Sequence, residues 1–195
     1  MLTCTLVESI LSRGRLFMLF DIEKLIGFAA YIMKRLDTDS MEYIMLIKLM
    51  YLSDRKFVEC YDSTISNDDF VSMPKGPVLS RLLNLIRNDS CEDFQKTWNA
   101  YFTTQNNDIL MNENFAFEKI NKLSRAEMKV IDGVVAEYGH WDRWELIDKV
   151  MHKLPEWENP NGSSRPISLQ RLMAELGKSQ EEIDAALEEK RLYER

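Results

Sequence analysis

A chain of 195 residues is long enough to bury one real core, with room for a small appendage. Its 45% hydrophobic and 29% charged residues are the fractions of an ordinary soluble globular protein. The formal net charge of −7 excludes a broad non-specific nucleic-acid surface, which needs clustered Lys and Arg, but leaves room for a local basic site.

The opening run "MLTCTLVESILSRGRLFMLF" is apolar but broken. Glu8 interrupts it and Arg13 and Arg15 follow, so it fits neither a secretory signal nor a membrane span. Residues 1–17 read as an N-terminal extension or an upstream-start artefact, because "MLFDIEKLIGFAAYIMKRL" from Met18 opens a well-formed helix. From Asp21 onward, Ile22, Leu25, Ile26, Ala29, Met33 and Leu36 keep the helical period.

"DTDSMEY" reads as a break and a restart, with Asp39 as cap and Glu42 in capping-box position. The helix it predicts, from about Met41 to Tyr61, is apolar around much of its circumference and is the candidate central helix. "DSTISNDD" is a polar loop, and Phe70 to Met73 is a candidate strand. "PKGP" then leads into "VLSRLLNLI", where Pro77 suits a first helical position and Leu79, Leu82, Leu83 and Ile86 supply one apolar face. Trp98 to Thr103 and Asp108 to Met111 flank "TQNN" and predict a β-hairpin.

The rest reads as helical. Ser124/Glu127, Asp142/Glu145 and Ser179/Glu182 have capping-box spacing, and Gly139 and Gly177 stand where left-handed helix ends are expected. Pro155 is expected to stop the helix that carries His152. "ENPNGSSRP", residues 158–166, reads as a linker to an acidic helical pair over residues 167–195 that packs on the main domain, residues 18–157. The expected fold is mainly α, a compact helical domain with a small β-hairpin or short antiparallel sheet.

Chemistry-bearing motifs are sparse. No G-x-G-x-x-G, Walker-type loop or H-E-x-x-H occurs. Lys75-Gly76 is half a phosphate loop without its other glycines, and Pro77 removes a donor amide. His140 and His152 stand 12 apart with no partner at helical spacing, so no metal site is expected. Cys4, Cys60 and Cys91 are odd in number and scattered, which fits reduced thiols in a cytoplasmic protein. The chain therefore reads as a non-enzyme without a cofactor. A hidden hydrolase would need His152 and carboxylates to converge in a pocket.

"ISLQRLMAELGKSQEEIDAALEEKRL" superficially resembles a helix-turn-helix. Its second helix carries Glu181, Glu182, Asp184, Glu188 and Glu189, and no basic residue lies between Gln180 and Glu189. Repulsion from phosphates disfavours DNA binding there. A transcriptional regulator using this pair is nevertheless the alternative reading.

Residues 46–86, "LIKLMYLSDRKFVECYDSTISNDDFVSMPKGPVLSRLLNLI", resemble the Panacea domain, the SocA-like antitoxin family. Lys48, Leu49, Tyr51, Ser53 and Asp54 match its helix motif, and Gly76, Pro77 and Val78 match its turn. Lys75 stands where Tyr or another residue is frequent. Leu146, His152, Pro155 and Trp157 follow in the expected order, and "LMAELGKSQEEIDAALEE" is similar to a tail found in many members. The resemblance implies an antitoxin that binds a cognate toxin from an adjacent gene in a mobile-element setting, with a protease as a further partner if it acts as an adaptor. No membrane partner is expected, and the acidic charge disfavours a nucleic-acid partner.

The candidate partner-binding residues are Lys48, Tyr51, Asp54, Arg55, Lys75, Gly76, Pro77, His152 and Trp157. Lys48, Tyr51 and Arg55 share one helical face by spacing. That face reads equally as a partner stripe or as a half-buried Tyr between two surface charges. Trp157 is also a candidate pin holding the chain after Pro155 to the core.

Overall fold

The structure, a computed structural model, describes residues 20–112, 115, 117 and 122–194. The expectation for residues 1–17 lies outside the described residues. The first helix, α1 (Ile22–Arg35), starts where Asp21 accepts from the amides of Glu23 and Lys24 at 2.9 and 3.2 Å. Its buried face is broader than the periodicity suggests and includes Phe28, Ala30 and Ile32.

The expected Asp39/Glu42 cap does not form. Ser40–Glu42 is instead a short strand, β1, and the central helix α2 (Tyr43–Tyr61) begins directly after it. The Tyr43 amide, one of the first-turn donors a helix leaves unpaired, donates to the Asn107 carbonyl at 2.8 Å. Strand β1 thereby gains a sheet partner and Glu42 is free to pair with Arg143. As expected, α2 is central. It packs against α1, against the later helices, and against the strand that follows the Lys75 turn.

Strands β2 (Phe70–Met73) and β3 (Gly76–Leu79) form an antiparallel hairpin through Pro74 and Lys75. Pro77 therefore belongs to a strand, opposite Ser72, and not to the first helical turn. It is tolerated because β3 is an edge strand of its sheet, where a missing N–H costs no ladder bond. Helix α3 (Ser80–Ile86) starts three residues later than Pro77.

Helix α4 (Glu92–Tyr101) includes Trp98, so the first strand of the predicted hairpin begins only at Phe102. Strands β4 (Phe102–Gln105) and β5 (Asp108–Met111) turn at Asn106 and Asn107. Asn106 takes a left-handed φ of 58°, a conformation its short amide side chain tolerates. β5 pairs with both β4 and β1 in one antiparallel sheet.

Helix α5 (Arg125–Tyr138) opens on the full Ser124/Glu127 capping box. Gly139 at its other end has a φ of −63°, right-handed and not left-handed as expected. Helix α6 (Arg143–Lys149) ends before His152, which lies in a single 3-10 turn, Met151–Lys153. Pro155 follows that turn and does not itself stop an α-helix. The stretch read as a linker ends in β6 (Arg165–Ile167), which pairs with β2 and places Pro166 on a sheet edge. Helices α7 (Leu169–Glu175) and α8 (Gln180–Glu194) follow, with Gly177 left-handed between them at a φ of 76°. Leu172, Met173, Ile183 and Ala186 from this pair enter the main core. Among the described residues the fold is mainly α, with two small three-stranded antiparallel sheets.

Candidate functional site

The face of α2 that carries Lys48, Tyr51, Asp54 and Arg55 turns inward. Lys48 is 1% exposed, and Tyr51 and Asp54 are fully buried. This corrects both readings of that face, since Lys48 is not a surface charge and Tyr51 is not half exposed. The cover comes from the β2–β3 hairpin and from residues 151–158, which lie a hundred positions further along the chain. Only partners for every polar head make such burial tolerable.

Lys48 Nζ donates to the Pro77 carbonyl at 2.8 Å. Burial, together with the nearby charge of Lys75, lowers its pKa to about 7. Gly76 makes the approach possible. Its φ is +92°, and a Cβ there would lie 2.6 Å from Met151 Cβ and 3.3 Å from Lys48 Nζ. The turn motif thus needs glycine for two separate reasons, backbone conformation and space.

One turn further along α2, the Tyr51 hydroxyl donates to Glu156 Oε1 at 2.9 Å, and Arg55 Nε donates to the same oxygen at 2.8 Å. Glu156 is fully buried. Burial and the Glu156 carboxylate both push the Tyr51 phenol well up, so it remains a donor. Phe70 closes the pocket edge-on to Tyr51, with ring centroids 5.4 Å apart.

The Asp54 carboxylate holds the loop after α2. It accepts from the amides of Ile65 and Ser66 at 2.6 and 3.0 Å and from the Ser66 hydroxyl. Burial nevertheless raises its pKa to about 7. Asp68 caps α3 from across this loop, accepting from Arg81 N at 2.8 Å and Leu82 N at 2.9 Å. Burial raises its pKa to about 6.

His152 and Trp157 pin the closing segment onto the hairpin. Their rings stack with centroids 4.3 Å apart. His152 Nε2 lies 3.1 Å from the Pro74 carbonyl oxygen, and Trp157 Nε1 donates to the Met73 carbonyl at 2.9 Å. The Glu158 amide adds a bond to Ser72 Oγ at 3.3 Å. The pinning role expected of Trp157 is what its indole does.

Eight of the nine candidate residues therefore belong to one structural knot. Lys48, Tyr51, Arg55, Gly76, Pro77, His152 and Trp157 join α2, the hairpin and the closing segment, and Asp54 braces the adjoining loop. Lys75 differs. It is exposed at the turn, with Nζ 4.9 Å from the centre of the Trp144 ring, and Trp144 is itself 48% exposed.

Sequence reasoning missed Glu156 and Asp68. A signal for Glu156 was present, because a Tyr and an Arg four apart on an inward face require a buried acceptor, and Glu156 sits inside the Pro155–Trp157 motif. Asp68 had no comparable signal, since its partners are main-chain amides 13 and 14 positions away.

Each charged or polar head of the knot is engaged within the protein. Among the described residues, no group of three or more His, Cys, Asp or Glu side chains is placed to hold a metal ion. No helix among them is long and apolar enough to cross a membrane. The acidic first turn of α8, Glu181 and Glu182, is exposed. Compared with known proteins, residues 46–158 match the sequence model of one family, described as antitoxin SocA-like, Panacea domain. No curated protein and no solved structure matches the chain.

Proposed function

The chain belongs to the SocA-like antitoxin family with the Panacea domain, and we propose that it neutralises a cognate toxin by binding it directly as a protein. The family match carries this reading. Its limits, residues 46 and 158, enclose the whole knot from Lys48 to Glu158. The polar motifs of the knot then have a structural task, holding a rigid platform, and recognition falls to the surface that the platform presents. A platform of this kind suits a binding protein, because a rigid surface loses little entropy on association.

Co-expression with the neighbouring reading frame tests the proposal. The frame should be toxic alone and harmless beside this protein, and the two should co-purify. A neighbour that is harmless alone, or toxic in both settings, would sink it. Toxin half-life in the same cells separates plain sequestration from delivery to a protease, since only an adaptor shortens it.

The rival reading, a DNA-binding regulator using α7 and α8, has electrostatics against it. The exposed first turn of α8 offers Glu181 and Glu182 where phosphates would approach. A mobility shift at physiological salt with sequence preference would reverse that judgement.

A further inference from the structure

A groove between the start of α2 and the β2–β3 turn has no task in the knot. Its volume is about 270 Å³. Tyr43, Ile44 and Pro74 contribute apolar wall, Lys75 and Arg87 stand exposed along it, and buried Lys48 closes it from below. No carboxylate lines it. Among the described residues, none of these three cations has a carboxylate partner. The protein as a whole carries a formal charge of −7, so this is a local reversal of sign.

A buried ammonium with only one carbonyl for company is an unusual arrangement. Buried charges are normally paired, and a lone one is held at a cost that a counter-charge would relieve. Lys75 at the edge of the groove also lies against Trp144, with Nζ 4.9 Å from the ring centre; Arg143 stands 5.0 Å from the same ring and is itself paired with Glu42. The exposed Trp144 near the groove and the exposed Arg87 on it are residue types that dominate binding energy in protein interfaces.

We propose that this groove receives an acidic segment of the toxin, with an apolar side chain seated against Tyr43, Ile44 and Pro74 and a flanking carboxylate paired to Lys75 and Arg87. Lys48 adds a positive field from below that favours the arriving carboxylate. The inference rests on the antitoxin reading and specifies the chemistry of the partner's contacting segment.

Calorimetric titration of the purified toxin against the wild-type protein and Lys75→Glu/Arg87→Glu tests it. Lys96→Glu/Arg125→Glu, which changes the same amount of charge at exposed positions outside the groove, serves as control. The groove variant should bind the toxin about tenfold or more weakly, and its affinity should lose most of its dependence on salt. The control should stay within about threefold of the wild type. If the glutamate variant does not fold, Lys75→Ala/Arg87→Ala with an unchanged circular-dichroism spectrum takes its place.

Equal affinities for the wild type and the groove variant would overturn the groove assignment while leaving the antitoxin reading intact. A wild-type protein that does not bind the toxin would overturn both. Displacement of bound toxin by a short DNA duplex, lost in the groove variant, would assign the groove to phosphate and also overturn the proposal.

Discussion

The Tyr51 hydroxyl meets Glu156 Oε1 at 2.9 Å across 105 residues of chain, and Arg55 takes the same oxygen at 2.8 Å. The closing segment is therefore tied to α2 by a buried, charge-assisted contact. Breaking such a pair by removing one partner costs more than replacing both. Glu156→Ala should destabilise the protein by about 3–5 kcal/mol, because Arg55 is left without its counter-charge. Tyr51→Phe should cost about 1 kcal/mol. Replacing both Arg55 and Glu156 by Met and Leu should recover much of the loss. Urea unfolding of the single and double variants checks all three. A double variant no better than Glu156→Ala would deny the coupling.

Gly76 and Lys75 are neighbours with opposite sensitivities. Gly76→Val faces a φ of +92° and a Cβ position 2.6 Å from Met151 Cβ, so the hairpin or the 3-10 turn must move. The expected outcome is loss of folded, soluble protein, or a drop of several degrees in melting temperature if the protein still folds. Lys75→Ala removes only an exposed contact with Trp144 and should melt within about one degree of the wild type. Equal losses in the two variants would show that Lys75 is structural.

Much of the fold was legible because it rests on local signals. The Ser124/Glu127 box, the left-handed Gly177 and the apolar periods of α1 and α2 depend on residues a few positions apart. The misread elements depend on distant ones. Ser40–Glu42 looks like a helix start until β5 arrives to pair with it, and Pro77 looks like a first helical residue until Ser72 faces it. The site divided in the same way. Helical spacing placed Lys48, Tyr51 and Arg55 on one face, but it could not say that residues 151–158 would cover that face.

Asp68 caps α3 in place of a local residue. Leu79, at the N-cap position, offers no side-chain bond, and Asp68 supplies acceptors to Arg81 N and Leu82 N from the preceding loop. Asp68→Ala should cost about 1–2 kcal/mol, the usual range for losing a cap. It should also raise amide exchange selectively at Arg81 and Leu82. Hydrogen exchange read by NMR checks the location, and uniform acceleration across the protein would place the loss elsewhere.

The buried ionisable groups predict an inverted pH profile. Asp54 titrates near 3.8 when unfolded and near 7 when folded, so between these values the native state holds a proton that the unfolded state has released. Stability from this group is full below about pH 4 and falls as pH rises towards 7. Asp68 acts in the same sense, up to about pH 6. Lys48 acts in the other direction. Its pKa falls from 10.5 to about 7 on folding, so above pH 7 the unfolded state binds the extra proton and stability rises with pH towards 10.5. These groups together place a minimum near neutrality, where most proteins are near their best. Asp54→Asn can keep the amides of Ile65 and Ser66 on its carbonyl oxygen and should flatten the acidic limb. Lys48→Met should flatten the alkaline limb and raise stability at pH 7, because an uncompensated buried cation is gone. Denaturant unfolding from pH 4 to 10 reads both limbs, and an alkaline limb that persists in Lys48→Met would assign it to another group.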